Sequence, residues 1–426
     1  MVRLCFLVYI MLIALALARA HLQQRRGLGR RLALRAASSP MAPAAATTPS
    51  ARPAPSAPRA RPTGVFKTRL PDLFEGPTHF KRAQRQLKGV KADGAIKNVR
   101  NQQRKLSAQT LDRLGQQLTI PLTESLEAYR SVLRDAHPFE RTVCDLVVAS
   151  RAKLGHPDLT TLLADVKQLR MATSRLSKDY AARASNATSA AEAKDLLADG
   201  TAALEALYTD SDAARSLGAL VDLQKELRKI PVVELETPTV VLVGAPNVGK
   251  SSIVRCVSSG TPEVNDYPFT TRGVTIGHVI NKASRHPLPR YQVMDTPGLL
   301  DRPEEERNEM ENLTFASLLH LPTAVIFVVD PSGLSGDQSS LERQLNVRAA
   351  LRGRFPRRPW LDVISKGDLA VDAAVLELIA SRGVALDQAL RVSTSSGDNV
   401  DVLRAAVERL LVDLQAQLAA MAMTPR

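Results

Sequence analysis

The sequence predicts an α/β domain with a mostly parallel sheet and helices on both faces, preceded by an all-α helical bundle domain. Three observations carry this reading. Apolar, β-branched runs at Thr239–Val243, 291–294, Thr323–Val329 and 361–364 suit buried strands, and the stretches between them are long enough for crossover helices. The first run leads straight into a glycine-rich turn ahead of a helix-compatible segment. Upstream, residues 107–230 carry leucines at helical spacing: Leu159, Leu162, Leu163, Val166, Leu169 and Leu176, then Leu220, Leu223, Leu227 and Ile230.

The chain has 426 residues, 57 Lys plus Arg, 43 Asp plus Glu and a formal net charge of +14. That total resembles a nucleic-acid binder's, but its distribution does not. The first acidic residue is Asp72 and residues 1–71 hold 12 basic side chains, which leaves the remainder at +2. At 44% hydrophobic and 23% charged, the chain is neither wholly disordered nor a multi-span membrane protein. Three cysteines, Cys5, Cys144 and Cys256, exclude a disulfide scaffold and point to a reducing final compartment.

Residues 1–20 read as a signal peptide. The apolar run 4–18 is shorter than the roughly 20 residues of a membrane span, and Ala18-Arg19-Ala20 offers small residues for cleavage. An uncleaved anchor and a mitochondrial presequence are the alternatives. Residues 21–67 read as a disordered, basic, Ala/Pro-rich transit segment: 17 of the 28 positions 36–63 are Ala or Pro, too few core-forming side chains to fold. A signal sequence followed by an acid-free basic leader resembles the bipartite presequence of proteins imported into plastids of secondary origin. A mitochondrial address, or a secreted protein with a flexible basic stalk, are the rivals. No stable membrane anchorage is expected after processing.

Residues 68–232 form the expected helical domain, with breaks near Pro138, Pro157 and Pro231, and 237–416 the α/β domain. Within the latter, helices are expected at 250–258, 304–320, 335–352, 370–382 and 398–418. The segment Gly244-Ala245-Pro246-Asn247-Val248-Gly249-Lys250-Ser251 fits GxxxxGK[ST] between a strand and a helix. Glycines let backbone N–H groups close around phosphates at a helix N-terminus; Lys250 reaches the β- and γ-phosphates, and Ser251 ligates Mg²⁺. Thr271, in Tyr267-Pro268-Phe269-Thr270-Thr271, is placed to supply a second Mg²⁺ ligand from a switch loop. Asp295-Thr296-Pro297-Gly298 closes a strand, with Asp295 meeting the metal through water and the Gly298 N–H meeting the γ-phosphate. Ser365-Lys366-Gly367-Asp368 follows the 361–364 run: Asp368 can accept hydrogen bonds from guanine N1–H and the 2-amino group, and the Lys366 stem packs on the base. Ser365 stands where this motif usually has Asn, and a hydroxyl reaches less far. Ser393 and Thr394 sit where a loop meets the guanine O6 edge.

These elements identify a P-loop GTPase domain binding GTP or GDP with Mg²⁺. Leu299 occupies the position of the water-orienting glutamine of many signalling GTPases, so unassisted hydrolysis is expected at about 10⁻³ s⁻¹ or below. Asn247 has two readings: a K⁺ ligand, since GxPNxGKS resembles K⁺-binding GTPases, or a residue that tolerates a tight turn. Lys250, Thr271, Gly298 and Asn247 are the candidate catalytic groups.

With the YPFTT loop and Asp295-Thr296-Pro297-Gly298-Leu299-Leu300-Asp301-Arg302-Pro303, the stretch through Val329 resembles the nucleolar GTP-binding protein 1 family, a branch of the Obg-related GTPases, here in compact, organelle-targeted form. The similarity covers roughly residues 68–416. Its implications are an Obg-type G domain, phosphate contacts at Asn247 to Ser252, base contacts at Lys366 and Asp368, and a role in large ribosomal subunit assembly. Nucleolar members carry a long C-terminal extension, whereas this chain stops about ten residues after its last expected helix. Taken alone, Glu304, Glu305, Glu306, Glu309 and Glu311 read as a solvated helix face.

Between 79 and 105 nine basic residues, Lys81, Arg82, Arg85, Lys88, Lys91, Lys97, Arg100, Arg104 and Lys105, face one acid, Asp93. This segment either binds rRNA phosphates with strong salt dependence or is a solvated helix face, and the resemblance favours the former. The expectation is a monomeric GTP-hydrolysing switch acting on a large-subunit precursor and its rRNA. The alternatives are a nucleotide-gated scaffold with negligible turnover and a secretory-pathway GTPase.

Overall fold

The computed structural model describes residues 64–269, 274–280 and 290–423, all within one compact unit that begins at Ala60. The signal and transit segments up to residue 63 lie outside the described residues, as does Thr271. The boundary expected at 67/68 shifts, because Val65–Thr68 forms a helical turn with Val65 and Phe66 buried. Two large side chains, each burying apolar surface worth about 2 kcal/mol, hold that turn down. Glu140 also fastens it, accepting from Gly64 N at 3.0 Å and Val65 N at 3.2 Å.

Six helices follow: α1 (Gly76–Arg85), α2 (Val99–Asp135), α3 (Pro138–Lys153), α4 (Leu159–Ser185), α5 (Ala190–Thr209) and α6 (Asp212–Leu227). Their starts have chemical causes. Asn98, Asp158, Ser189 and Ser211 cap α2, α4, α5 and α6 by accepting a backbone N–H, and His137 with Glu140 forms a capping box ahead of Pro138 at the first turn of α3. In α2, Leu111, Leu114, Leu118 and Leu122 recur every three or four residues and are fully buried; the last three share a core with Leu162, Val166 and Leu169 of α4 and Leu217, Leu220 and Leu223 of α6, while Leu111 clusters with Ala181 and Ala184 of α4 and Ala193 and Leu196 of α5. Gly115 lets α2 and α4 touch, since a Cβ there would lie 2.2 Å from Ser177 Oγ.

The second half is a seven-stranded sheet in the order β2-β3-β4-β1-β5-β6-β7, with β1 (Thr239–Val243), β2 (Glu263–Asn265), β3 (Val274–Ile280), β4 (Arg290–Asp295), β5 (Thr323–Val329), β6 (Trp360–Ile364) and β7 (Leu390–Arg391). From β4 to β7 the strands are parallel; β3 runs antiparallel to β4 and to β2. Alternation along β1 and β5 divides two cores. Val240, Leu242, Ala324 and Ile326 meet α7 (Lys250–Val257) and α11 (Val400–Met423); Val241, Val243, Val325 and Phe327 share a core with α8 (Glu309–His320) and α9 (Leu341–Arg354). A small helix, α10 (Ala373–Ser381), packs at the β6–β7 side through Ile379.

Some helix bounds move. The expected 304–320 helix breaks into a 3₁₀ turn (Glu304–Glu306) and α8, because Asn308 and Glu311 build a capping box that restarts the helix. α9 begins at Leu341 rather than 335, α10 runs 373–381 rather than 370–382, and α11 runs on to Met423. The helical domain also contributes to the sheet's core: α3 packs on α8, placing Phe139, Val143 and Leu146 in one cluster with Leu313 and Leu318. Thr142 Oγ1 meets His320 Nε2 at 3.3 Å and Lys153 pairs with Glu309 at the other end of this antiparallel contact.

Candidate nucleotide site

The candidate residues gather at one edge of the sheet. β1, β4, β5, β6 and β7 are parallel, so their C-terminal ends deliver Gly244, Asp295, Asp330, Ser365 and Ser393 to the same side, where open α/β sheets bind ligands. Between β1 and α7 the turn needs unusual backbone: Asn247 has φ +63° and Gly249 φ +95°. Asn247 is exposed and its left-handed backbone is the conformation that its turn-tolerating reading requires. Val248 is buried beneath the loop, so only its backbone is available to a ligand; Ser251 and Ser252 are half-buried.

Lys250 is buried, with Nζ donating to Gly244 O at 3.1 Å and Ala245 O at 2.7 Å. Burial pushes its ammonium down to about 8, against the pull of nearby Asp295. The Ser251 hydroxyl donates to Asp295 Oδ2. Asp295 Oδ1 is buried and has no protein partner. Burial raises the Asp295 carboxyl, while Ser251 and Lys250 hold it partly in check. A hydroxyl and an orphaned carboxylate oxygen side by side are oxygen donors of the kind Mg²⁺ takes.

Gly298 sits hard against the phosphate loop: a Cβ there would lie 2.5 Å from Pro246 N. Leu299 N donates to Gly244 O at 3.1 Å, while the Leu299 side chain is buried and lines a cavity of about 250 Å³ with Arg302, Phe315, Val347, Leu351 and Arg354. Thr296 Oγ1 donates to Leu242 O at 2.6 Å and ties β4's end to β1.

The solvated acidic face expected over 304–311 is corrected at Glu311. That residue is buried and accepts from Leu300 N (3.0 Å), Arg302 Nε (3.1 Å), Arg302 Nη2 (2.6 Å) and Asn308 N (3.1 Å). It ties Leu300, Arg302 and Asn308 of the 299–308 loop to one carboxylate. The Asn-x-x-Glu spacing of a capping box was the signal that could have found it.

At the candidate base-recognition end, Asp368 is exposed and the Ser393 hydroxyl holds its carboxyl below the ordinary range, with Arg391 adding to the effect. Ser393 is buried and its Oγ also accepts from Ser395 N and Ser396 N, which shapes the loop carrying half-buried Thr394. Lys366 Nζ reaches Asp330 Oδ2 at 2.5 Å. Asp330, the residue after β5, was not singled out from the sequence as a site residue.

Comparison with known proteins agrees with both halves. Residues 74–234 match the family described as NOG1 N-terminal helical domain, and residues 239–355 match that described as 50S ribosome-binding GTPase. Nucleolar GTP-binding protein 1 of Arabidopsis thaliana is 33% identical over 265 residues, 58% of this chain and 38% of that protein. The Saccharomyces cerevisiae protein of the same name is 29% identical over 238 residues, 56% of this chain and 34% of that one. The chain is similar to the nucleolar GTP-binding protein 1 family. It spans about a third of the length of these family members. Among solved structures, a nucleolar GTP-binding protein 1 from Plasmodium falciparum is 28% identical, covering 45% of this chain and 95% of that one at a TM-score of 0.34. Among the described residues no helix is long and apolar enough to cross a membrane.

Proposed function

We propose that this protein is a GTP-hydrolysing switch in the assembly of a large ribosomal subunit, within an organelle. The observation that carries the reading is the convergence, at the C-terminal edge of five parallel strands, of the phosphate loop, the Ser251–Asp295 pair and the Asp368–Ser393 pair. Phosphates would lie against backbone N–H groups of 247–252 at the α7 N-terminus with Lys250 beside them, and Gly298 N–H would meet the γ-phosphate. Asp368, Lys366, Ser393 and Thr394 would hold guanine. Ser251, Asp295 through water, and Thr271 are the proposed Mg²⁺ residues. Bound Mg²⁺ would offset phosphate charge. K⁺ beside Asn247 is the proposed source of further positive charge.

The family supports rRNA of a large-subunit precursor as partner, and in the proposal the 79–105 segment touches it. Lys81, Arg82 and Arg85 are exposed on α1, while Lys105 pairs with Asp93 and Arg104 donates to Ala187 O. The leader, residues 1–63, is proposed to direct the protein to a plastid. A fluorescent fusion of residues 1–75 tests this: plastid signal supports it, and secretory or mitochondrial signal refutes it.

One observation favours the second reading, a nucleotide-gated scaffold with negligible turnover: the Leu299 side chain is turned into the core, where it cannot orient water. Lys250→Ala tests what both readings share. Tight GTP binding is expected to disappear in titrations with a fluorescent guanine nucleotide, and unchanged binding refutes the phosphate-loop assignment.

A further inference from the structure

The guanine motif of this chain lacks its usual first residue, and the structure shows a different group holding the loop. Ser365 stays close to β5: its N–H and hydroxyl both donate to Val329 O, at 2.9 and 3.2 Å. Its side chain makes no other hydrogen bond among the described residues. Lys366, which follows, has φ +53°, a conformation that a long side chain rarely adopts without an external hold.

That hold comes from Asp330. Its side chain is fully buried and its Oδ2 takes Lys366 Nζ at 2.5 Å and the Ser335 hydroxyl at 2.5 Å. Oδ1 takes the Ser332 hydroxyl at 2.6 Å and Ser332 N at 2.9 Å. The backbone of Asp330 is clamped by one side chain, with its N–H donating to Gln344 Oε1 at 2.8 Å and its carbonyl accepting from Gln344 Nε2 at 3.0 Å. A buried carboxylate with four donors on two oxygens and a backbone fixed at both ends can serve as an anchor. The remainder of the loop is pinned by Gly367 N donating to Val392 O at 3.0 Å, which leaves Asp368 facing outward.

We infer that Asp330 is the positioning residue for guanine recognition: it holds Lys366, and through it the Asp368 turn, in place of the missing carboxamide at 365. This rests on the reading of 365–368 as the base-recognition motif. The inference makes Ser365 tolerable, since an anchor from β5 does from below what an asparagine would do from within the loop.

The test compares purified full-length wild type with Asp330→Asn, Ser365→Asn and the double variant, titrated with fluorescent GDP and competed with unlabelled IDP and ADP, with thermal melting alongside. Asp330→Asn is expected to weaken GDP binding about tenfold, the scale of one charge-assisted contact, and to narrow the GDP-over-IDP preference. Adding Ser365→Asn is expected to restore most of that loss, which general destabilisation would not allow. Ser365→Asn alone is expected to change affinity less than about threefold, because the loop is already held. A tenfold tightening from Ser365→Asn alone would overturn the inference, as would Asp330→Asn that folds and binds like wild type, or a double variant no better than Asp330→Asn. The Ser365→Asn arm decides the matter even where Asp330→Asn does not fold. Absence of GDP binding by wild type would instead overturn the nucleotide reading itself, and this inference with it.

Discussion

Gly298 carries a severe steric demand in the site. A methyl group there would press on Pro246 backbone at 2.5 to 2.7 Å, and neither strand end can yield because Thr296 is bonded to Leu242 O and Leu299 N to Gly244 O. Gly298→Ala is therefore expected to displace the 295–299 loop and lower GTP turnover by about tenfold or more, while GDP affinity stays nearly unchanged. Single-turnover hydrolysis beside GDP titration checks it; equal turnover would show that the loop does not touch the reacting end. His79 makes a second demand at this scale. Its Nε2 meets Leu118 O at 2.9 Å and its ring stacks on Tyr208. Burial lowers its basicity, and nearby Arg82 adds to this against the Leu118 contact. With the folded value depressed, the unfolded chain takes up the proton first, so this stability is complete above about pH 6.5 and drains as pH falls below it. The slope is at most about 1.4 kcal/mol per pH unit. Denaturant melts from pH 7.5 to 5 should show that loss in wild type and less of it in His79→Phe; parallel curves would exclude His79 as the cause. The residues legible in the sequence were those in spaced motifs, such as Lys250, Ser251 and Asp295. Asp330 and Glu311 were not, because an isolated acid acquires a role only from donors that arrive from elsewhere: Lys366, Ser332 and Ser335 for one, Leu300 and Arg302 for the other.

Among the elements, α8 links the candidate switch loop to the rest of the protein. One buried carboxylate on it, Glu311, takes donors from Leu300, Arg302 and Asn308, and its opposite side packs on α3. Glu311→Ala strands the half-buried guanidinium of Arg302 and removes the cap, a loss of about 3 kcal/mol, the low end for broken buried pairs because Arg302 keeps partial access to water. Equilibrium urea unfolding would measure it, and a change under 1 kcal/mol would mean that the carboxylate is dispensable. The sequence read the strands better than the helix starts. β1 and β5 are fully buried apolar runs whose ends coincide with the pattern. Helix 304–320 was misread because acidic residues that favour a first turn continue through Pro303-Glu304-Glu305-Glu306, while the cap that actually starts the helix is Asn308. Val65–Thr68 is hidden in the sequence for a similar reason: four residues have no periodicity to read, and only tertiary burial and the Glu140 hydrogen bonds order them.

At the scale of the whole molecule, the helical and α/β halves share apolar core through Phe139, Val143 and Leu146 against Leu313 and Leu318. They are expected to unfold together, giving one calorimetric transition, and Val143→Asp is expected to split it; two transitions in wild type would show that the halves are independent. The fold class was legible because parallel-strand runs and leucine stripes are local signals, whereas the α3–α8 contact joins residues far apart in sequence and left no pattern. For the proposed RNA face, replacing Lys81, Arg82 and Arg85 with Gln should reduce the salt slope of rRNA binding by about 2, and an unaltered slope would return α1 to a solvated face. The central claim, a switch driven by GTP hydrolysis on a ribosomal precursor, is tested most directly by turnover of the purified full-length protein in NaCl, in KCl and with organellar large-subunit precursors. The account predicts about 10⁻³ s⁻¹ or less in NaCl and clear acceleration by KCl or by the particle. Equal, negligible rates in all three conditions would contradict it.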